Sequence, residues 1–195
     1  MGNKGDATRE YIKEKAYTLF AEKGFKDVTM KDVCEVTGLS RGGLYRHFDS
    51  TAQIFEEIFL ELTGKTEQDF AERIDAGENA RQMLEDILEK YKEEIEEKER
   101  TLTLAIYEYS QAVNSEFLIE LNRTSKVKWK EFIKYGVDQG EFVDVEIDAV
   151  VDLILYAYQG ARMWSKILPV DRGVSRHIVD CIYGMLLEKG EKKEE

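Results

Sequence analysis

The chain is 195 residues long, 43% hydrophobic and 35% charged, with a formal net charge of −12. That length suits one large domain or a small head on a larger body, with enough apolar and aromatic residues to build a core. A single proline, Pro169, and abundant Glu, Lys, Leu and Ala point to an almost wholly helical, all-α protein, because proline removes a donor and clashes with the preceding turn.

In chain order, the spacing predicts a first helix from about Asp6 to Lys23, with Ala7, Tyr11, Ile12, Ala16, Leu19 and Phe20 on one face. Gly24 follows as a C-cap and Phe25 packs after it. Thr29 opens a second helix, with Asp32 completing a near capping box and Val33, Cys34 and Val36 turned inward. Gly38 supplies a tight turn, and Ser40 caps a very short third helix through about His47. A fourth helix begins near Thr51, carries Ile54, Phe55, Ile58, Leu62 and Phe70 in a long stripe, and ends near Gly77. Ala80, Met83, Leu84, Ile87, Leu88, Tyr91 and Ile95 mark an amphipathic fifth helix. A sixth covers roughly Leu102 to Val113, and a seventh runs from Ser115 to Gly140. The eighth starts at Asp144 or Asp148 and is apolar around most of its circumference to Ile167, which predicts burial on nearly every side. After Pro169 and Gly173, a ninth runs from Val174 to Lys189 with Ile178, Cys181, Ile182 and Met185 in register. The charged stretches Glu93 to Arg100 and Glu188 to Glu195 are the only low-complexity segments, and the second reads as a solvated tail. No Gly/Ser/Pro linker divides the chain, so any domain boundary is spanned by a continuous helix.

Charge is unevenly placed. Residues 1–60 hold nine Lys/Arg against ten Asp/Glu, so nearly all of the acidity belongs to the remainder. An acidic body repels DNA and confines contact to a near-neutral head, so overall charge does not exclude DNA binding. Cys34 and Cys181 lie far apart in apolar helical patterns, without CxxC spacing or a Cys/His cluster. That argues against structural zinc and for two reduced core thiols. The amino terminus, MGNKGDATRE, has no apolar h-region, and position 6 is Asp where myristoylation wants Ser or Thr. The longest apolar run, Leu153 to Tyr158, is too short to cross a bilayer. A cytoplasmic protein with no membrane partner is expected.

The informative segment is Thr29 to Phe48, TMKDVCEVTGLSRGGLYRHF: two short helices joined by a Gly-containing turn, the generic helix-turn-helix. The outer face of the second short helix presents Ser40, Arg41, Gly42, Gly43, Tyr45, Arg46 and His47, while Leu44 and Phe48 face in. Two adjacent glycines cost a short helix roughly 1 kcal/mol each relative to alanine. Bare backbone is useful where it must approach a base edge in the major groove.

With LFAEKGF (Leu19 to Phe25), TMKDVCEVTG and SRGGLYRHF, residues 8–60 resemble the amino-terminal domain of the TetR family. The resemblance implies a nine-helix architecture with a three-helix helix-turn-helix head, residues 1–50, on a helical dimerisation and ligand-binding body, residues 51–195. It implies phosphate contacts for Thr29, Ser40, Arg41, Tyr45 and His47, base-edge approach at Gly42 and Gly43, and core roles for Leu44 and Phe48. The outward Arg46 joins the DNA-facing set. One departure stands out: the family often has lysine at the start of helix four, where this chain has Thr51, and Asp49 adds a repelling charge. Either the amide dipoles of that helix serve instead, or affinity is lower than is usual for the family.

In the body, aromatic and hydrogen-bonding residues alternate. Tyr107, Glu108, Gln111, Trp129, Phe132, Tyr156, Gln159 and Arg162 are the candidate small-molecule site, against the plainer reading of core packing. Glu108 could pair with Arg162 or meet a cationic ligand, and a solvated glutamate is the plainer expectation. Ile154, Tyr158, Ile178, Cys181, Ile182 and Met185 are the candidate homodimer interface, because a body of five or six helices cannot enclose the eighth.

Enzyme classes find no footing. His47 and His177 lack Glu-x-x-His partners, and there is no Ser/His/Asp grouping, phosphate loop or cofactor motif. The reading is a non-enzymatic, cofactor-free transcriptional regulator, a repressor as the family leans. It binds palindromic operator DNA as a homodimer and is released by a small-molecule effector. The alternatives are a helical protein-interaction module, against which Arg41, Tyr45 and His47 argue, and a regulator without an effector.

Overall fold

The structure is a computed structural model that describes residues 4–96, 101–166, 168 and 172–187. Ile167, Pro169, Lys189 and the charged segments 97–100 and 188–195 lie outside the described residues. Among the described residues every regular element is a helix. In order these are α1 (Lys4–Lys23), α2 (Met30–Thr37), α3 (Arg41–Leu44), α4 (Thr51–Asp75), α5 (Ala80–Glu96), α6 (Thr103–Ala112), α7 (Glu116–Asp138), α8 (Ile147–Ser165) and α9 (Arg172–Leu187). None is long and apolar enough to cross a membrane. The nine-helix, all-α expectation holds.

The chain forms two compact units. The first comprises α1, α2, α3, α6, α4 up to residue 66 and the start of α7. Its core is Ile12, Ala16 and Phe20 from α1, Val33 from α2, Leu44 and Phe48 from the α3 region, Ile54 and Phe55 from α4, and Ala105 and Tyr109 from α6. Phe20, Phe25, Phe55 and Tyr109 meet edge-on or tilted with centroids 5.0–5.5 Å apart where they touch across helices, the arrangement the ring quadrupole favours. Burying side chains of this size contributes about 1.5–3 kcal/mol each.

The second unit holds α5, most of α7, α8, α9 and the end of α4. Met83, Leu84 and Leu88 of α5 pack with Trp129, Phe132 and Ile133 of α7, Val151, Ile154 and Leu155 of α8, and Ile182 and Leu186 of α9. The α5 stripe is covered as expected, with Ala80, Met83, Leu84, Ile87, Leu88 and Ile95 buried. At the end of α7, Gly136 lies so close to Phe142 that a Cβ there would overlap its ring.

Several sequence expectations need correction. Tyr11, Val36 and Leu62 are 40–42% exposed, and Ala7 is exposed too, so the apolar stripes of α1, α2 and α4 are narrower than periodicity suggested. The third helix is one turn, Arg41–Leu44, rather than a run to His47. Helix α8 starts after Glu146, whose side chain accepts from Ala149 N at 2.6 Å, instead of at Asp144 or Asp148. It is not enclosed within the chain, because Leu153, Tyr156 and Trp164 are 57–63% exposed. Neither thiol is a core group: Cys34 is half-buried and Cys181 exposed, and both are free.

Candidate nucleic-acid interface

The helix-turn-helix is built from two caps and a left-handed turn. Asp32 N donates to Thr29 Oγ1 at 3.2 Å, and Thr29 N donates to Asp32 Oδ2 at 2.9 Å, which completes the capping box that starts α2. The hydroxyl hydrogen of Thr29 also goes to Asp32. Those bonds and the Lys23 ammonium, 2.9 Å away, hold the Asp32 carboxyl well below the usual carboxylate range. At the other end of α2, Gly38 has φ +69°, a backbone that L side chains resist, and the chain turns sharply into Ser40. Ser40 Oγ accepts from Gly43 N at 3.1 Å and starts α3. Ser50 Oγ, accepting from Gln53 N at 3.2 Å, does the same for α4.

On this frame α3 has a fully buried underside and an open outer face. Leu44 and Phe48 are 0% and 1% exposed, rooted in the first unit's core. Ser40, Arg41, Gly42, Tyr45 and Arg46 are exposed, while Gly43 and His47 are half-buried. The Arg41 guanidinium lies 5.8 Å from the Tyr45 ring centroid. Cations, hydroxyls and uncovered backbone thus share one surface, the mixture that meets phosphates and base edges. A Cβ at Gly42 would touch nothing within 4 Å, and no internal packing calls for glycine there.

Glu108 is where the sequence reading misled most. It is neither solvated nor paired with Arg162: its Oε2 accepts from Phe25 N at 2.7 Å and Lys26 N at 3.0 Å. The carboxylate occupies the space beside Gly24, where a Cβ would stand 2.5 Å from Oε2 and where φ is +82°. Its neighbour Tyr109, fully buried, donates to Glu56 of α4. Two consecutive residues of α6 therefore grip the turn after α1 and the flank of α4. Spacing gives no signal of this, since a glutamate between tyrosines also describes a solvated position.

The other candidate ligand residues divide. Tyr107 and Gln111 belong to the first unit and are exposed. In the second unit Trp129 and Phe132 are core, while Tyr156 and Gln159 sit on the open side of α8. Trp129 and Arg162 are brought together through two tyrosines. Trp129 Nε1 donates to Tyr91 Oη at 3.2 Å, and Tyr91 stacks on Tyr158 at 3.7 Å between centroids. Arg162 donates to Tyr158 Oη at 2.8 Å and lies 3.5 Å from Glu94, which also accepts from Tyr158. Burial pushes the Tyr91 phenol up to about 12, so it stays protonated while its oxygen accepts from Trp129.

Of the candidate dimer residues, Ile154, Tyr158 and Ile182 are 0–6% exposed and pack their side chains within the chain's own core. Ile178 and Met185 are half-buried, and Cys181 is open. Among the described residues no three His, Cys, Asp or Glu side chains are grouped to hold a metal.

Comparison with known proteins agrees with this geometry. Residues 12–58 match the family described as bacterial regulatory proteins, tetR family. The HTH-type transcriptional repressor KstR2 of Rhodococcus jostii is 32% identical over 142 residues, covering 68% of each chain. The uncharacterized HTH-type transcriptional regulator YfiR of Bacillus subtilis is 31% identical, covering 72% of this chain and 71% of its own. Among solved structures, the TetR family regulator CifR, a cysteine mutant complexed with a 26 bp double-strand operator DNA, superposes with a TM-score of 0.72 at 18% identity. That match covers 91% of this chain and 95% of the other.

Proposed function

This chain belongs to the TetR family of DNA-binding transcriptional regulators, and from that premise we propose that it is a repressor acting as a homodimer on a palindromic operator. Residues 1–50 bind the DNA; residues 51–195 dimerise and take a small-molecule effector that releases it. The observation that carries this reading is the outer face of residues 40–47, open to solvent above the anchors Leu44 and Phe48. Thr29, Ser40, Arg41, Tyr45, Arg46 and His47 serve phosphates and fix register, and Gly42 and Gly43 admit the helix to the groove. With its hydroxyl hydrogen committed to Asp32, Thr29 acts chiefly as the cap. Repression is the activity named for the KstR2 relative, and a cytoplasmic location suits a protein that acts on the chromosome.

Dimerisation is supported by the exposed stripe on α8. Leu153, Tyr156, Ala157 and Trp164 recur at three- and four-residue spacing, with Gly160 among them, and this face suits a self-complementary twofold contact. An effector site is supported by the Glu94–Tyr158–Arg162 network set among Tyr91 and Trp129. The grip of Glu108 on the turn after α1 makes α6 the helix whose displacement the head would feel. Linkage requires that operator weaken effector binding by the factor that effector weakens operator binding.

Sedimentation with parallel operator titration tests the assembly. Wild-type protein at micromolar concentration is expected to be a dimer, and Trp164→Glu to dissociate and lose operator affinity with its secondary structure intact. A wild-type monomer that binds operator would overturn the assignment. A charge at Ile182 is less informative, since that residue is 2% exposed and its unit would unfold.

A further inference from the structure

Arg9 of α1 lies outside the surface assigned to DNA, yet it touches that surface's support from three sides. Its Nε donates to Glu57 Oε2 of α4 at 2.9 Å, and a terminal nitrogen pairs with Glu57 Oε1. The other terminal nitrogen donates to the backbone carbonyl of His47. The guanidinium plane sits 4.0 Å above the ring centroid of Phe48. A planar fork that is always charged is suited to bind a carboxylate with one edge while stacking on a ring, which lysine cannot do.

The carbonyl it holds follows the one-turn α3. Leu44 N→Ser40 O, Tyr45 N→Arg41 O and the His47 and Phe48 N–H bonds to Leu44 O are all local to this segment, whereas the Arg9 bond ties its end to α1. We infer that Arg9 is a positioning residue for operator binding: it fixes the backbone at His47, and with it the aim of Tyr45 and His47, without touching DNA. This rests on the reading of residues 40–47 as the DNA surface.

The molecule contains its own control. One turn along α1, Lys13 pairs with Glu61, one turn along α4, so the two helices share a two-rung ladder. Only the Arg9 rung reaches the recognition segment.

The test compares Arg9→Met, Arg9→Lys, Glu57→Gln, Lys13→Met and Tyr45→Phe for melting temperature, operator affinity, affinity for unrelated duplex and the salt dependence of each. Arg9→Met is expected to lose roughly tenfold or more in operator affinity, the scale of one charge-assisted hydrogen bond. Its salt slope should stay at the wild-type value, while its affinity for unrelated duplex falls along with operator affinity, because the groups it aims serve phosphates. Arg9→Lys should recover only part of the loss. Lys13→Met, which weakens the other rung and leaves Arg9 and its bonds in place, should stay within about twofold of wild type. Glu57→Gln, which weakens the carboxylate that holds Arg9, should lose part of what Arg9→Met loses. Three results would overturn the inference. One is wild-type operator affinity in Arg9→Met. Another is an equal loss in Lys13→Met, which would assign the effect to the helix pair. The last is a salt slope lowered by about one, which would make Arg9 itself a phosphate contact. If Tyr45→Phe is silent while Arg9→Met is impaired, positioning stands and the Tyr45 contact falls.

Discussion

Gly42 allows folding and DNA binding to be separated at one position. Its backbone is helical, and a Cβ built there meets nothing within 4 Å. Replacing an exposed helical glycine gains about 0.5–1 kcal/mol, because the unfolded chain has less freedom to lose. The gain should sit near the lower figure here, since α3 is a single turn. For a chain of this size that raises the melting temperature by about 1–4 °C. Gly42→Leu should therefore melt no lower than wild type. On operator DNA the same side chain stands where the recognition helix meets base edges, and the expected loss is about 1–3 kcal/mol, the scale of one spoiled base pair. Affinity for unrelated duplex should hold, because the phosphate-facing groups are untouched. Gly43 gives a less clean experiment, since a Cβ there lies 3.3 Å from Ser40 Oγ and presses on the cap itself. Thermal melts and fluorescence anisotropy on operator and scrambled duplexes read the two effects separately. Full operator affinity with an unchanged preferred site in Gly42→Leu would refute the groove-facing assignment.

Glu108→Ala strands the Phe25 and Lys26 amides and should cost about 1–3 kcal/mol, the penalty for unmaking such bonds, toward the lower end because Lys26 N is near solvent; a melting temperature equal to wild type would contradict this. Gly136→Ala forces a methyl into the Phe142 ring and should lose about 1–3 kcal/mol in urea unfolding, as overpacked cores do. The Asp32 carboxyl is depressed by Thr29 and Lys23, so the stability it contributes is present above the ordinary carboxylate range and is lost as pH falls through its lower folded value. Asp32→Asn should flatten that acid limb of the stability curve, and an unchanged limb would remove Asp32 as its cause.

The sequence was most legible where one residue type meets one local requirement. Thr29 and Asp32, Gly38 and Ser40 are cap and turn residues whose chemistry acts within four positions, so the helix-turn-helix could be read directly from them. The inward set Leu44, Phe48, Ile54 and Phe55 was equally plain. Coverage was harder to read. Tyr11, Val36 and Leu62 sit at the edges of their stripes, and periodicity identifies a stripe's centre without saying how far the neighbouring helix reaches. Helix α8 is apolar nearly all round, and composition alone does not say which of its sides the neighbouring helices cover; Leu153, Tyr156 and Trp164 are exposed. Long-range polar contacts were not legible at all. Glu108 is 83 residues from Phe25 and Arg9 is 48 from Glu57, and no spacing rule joins such pairs before the helices are packed.

The twofold operator is read out by sequencing the genomic fragments that the wild-type protein protects from nuclease. Those fragments should share an inverted repeat whose half-sites lie about one helical turn, roughly 10 bp, apart, as two recognition helices related by a twofold axis require. Protected fragments with no common motif, or with a single unrepeated half-site occupied by one protomer, would contradict it.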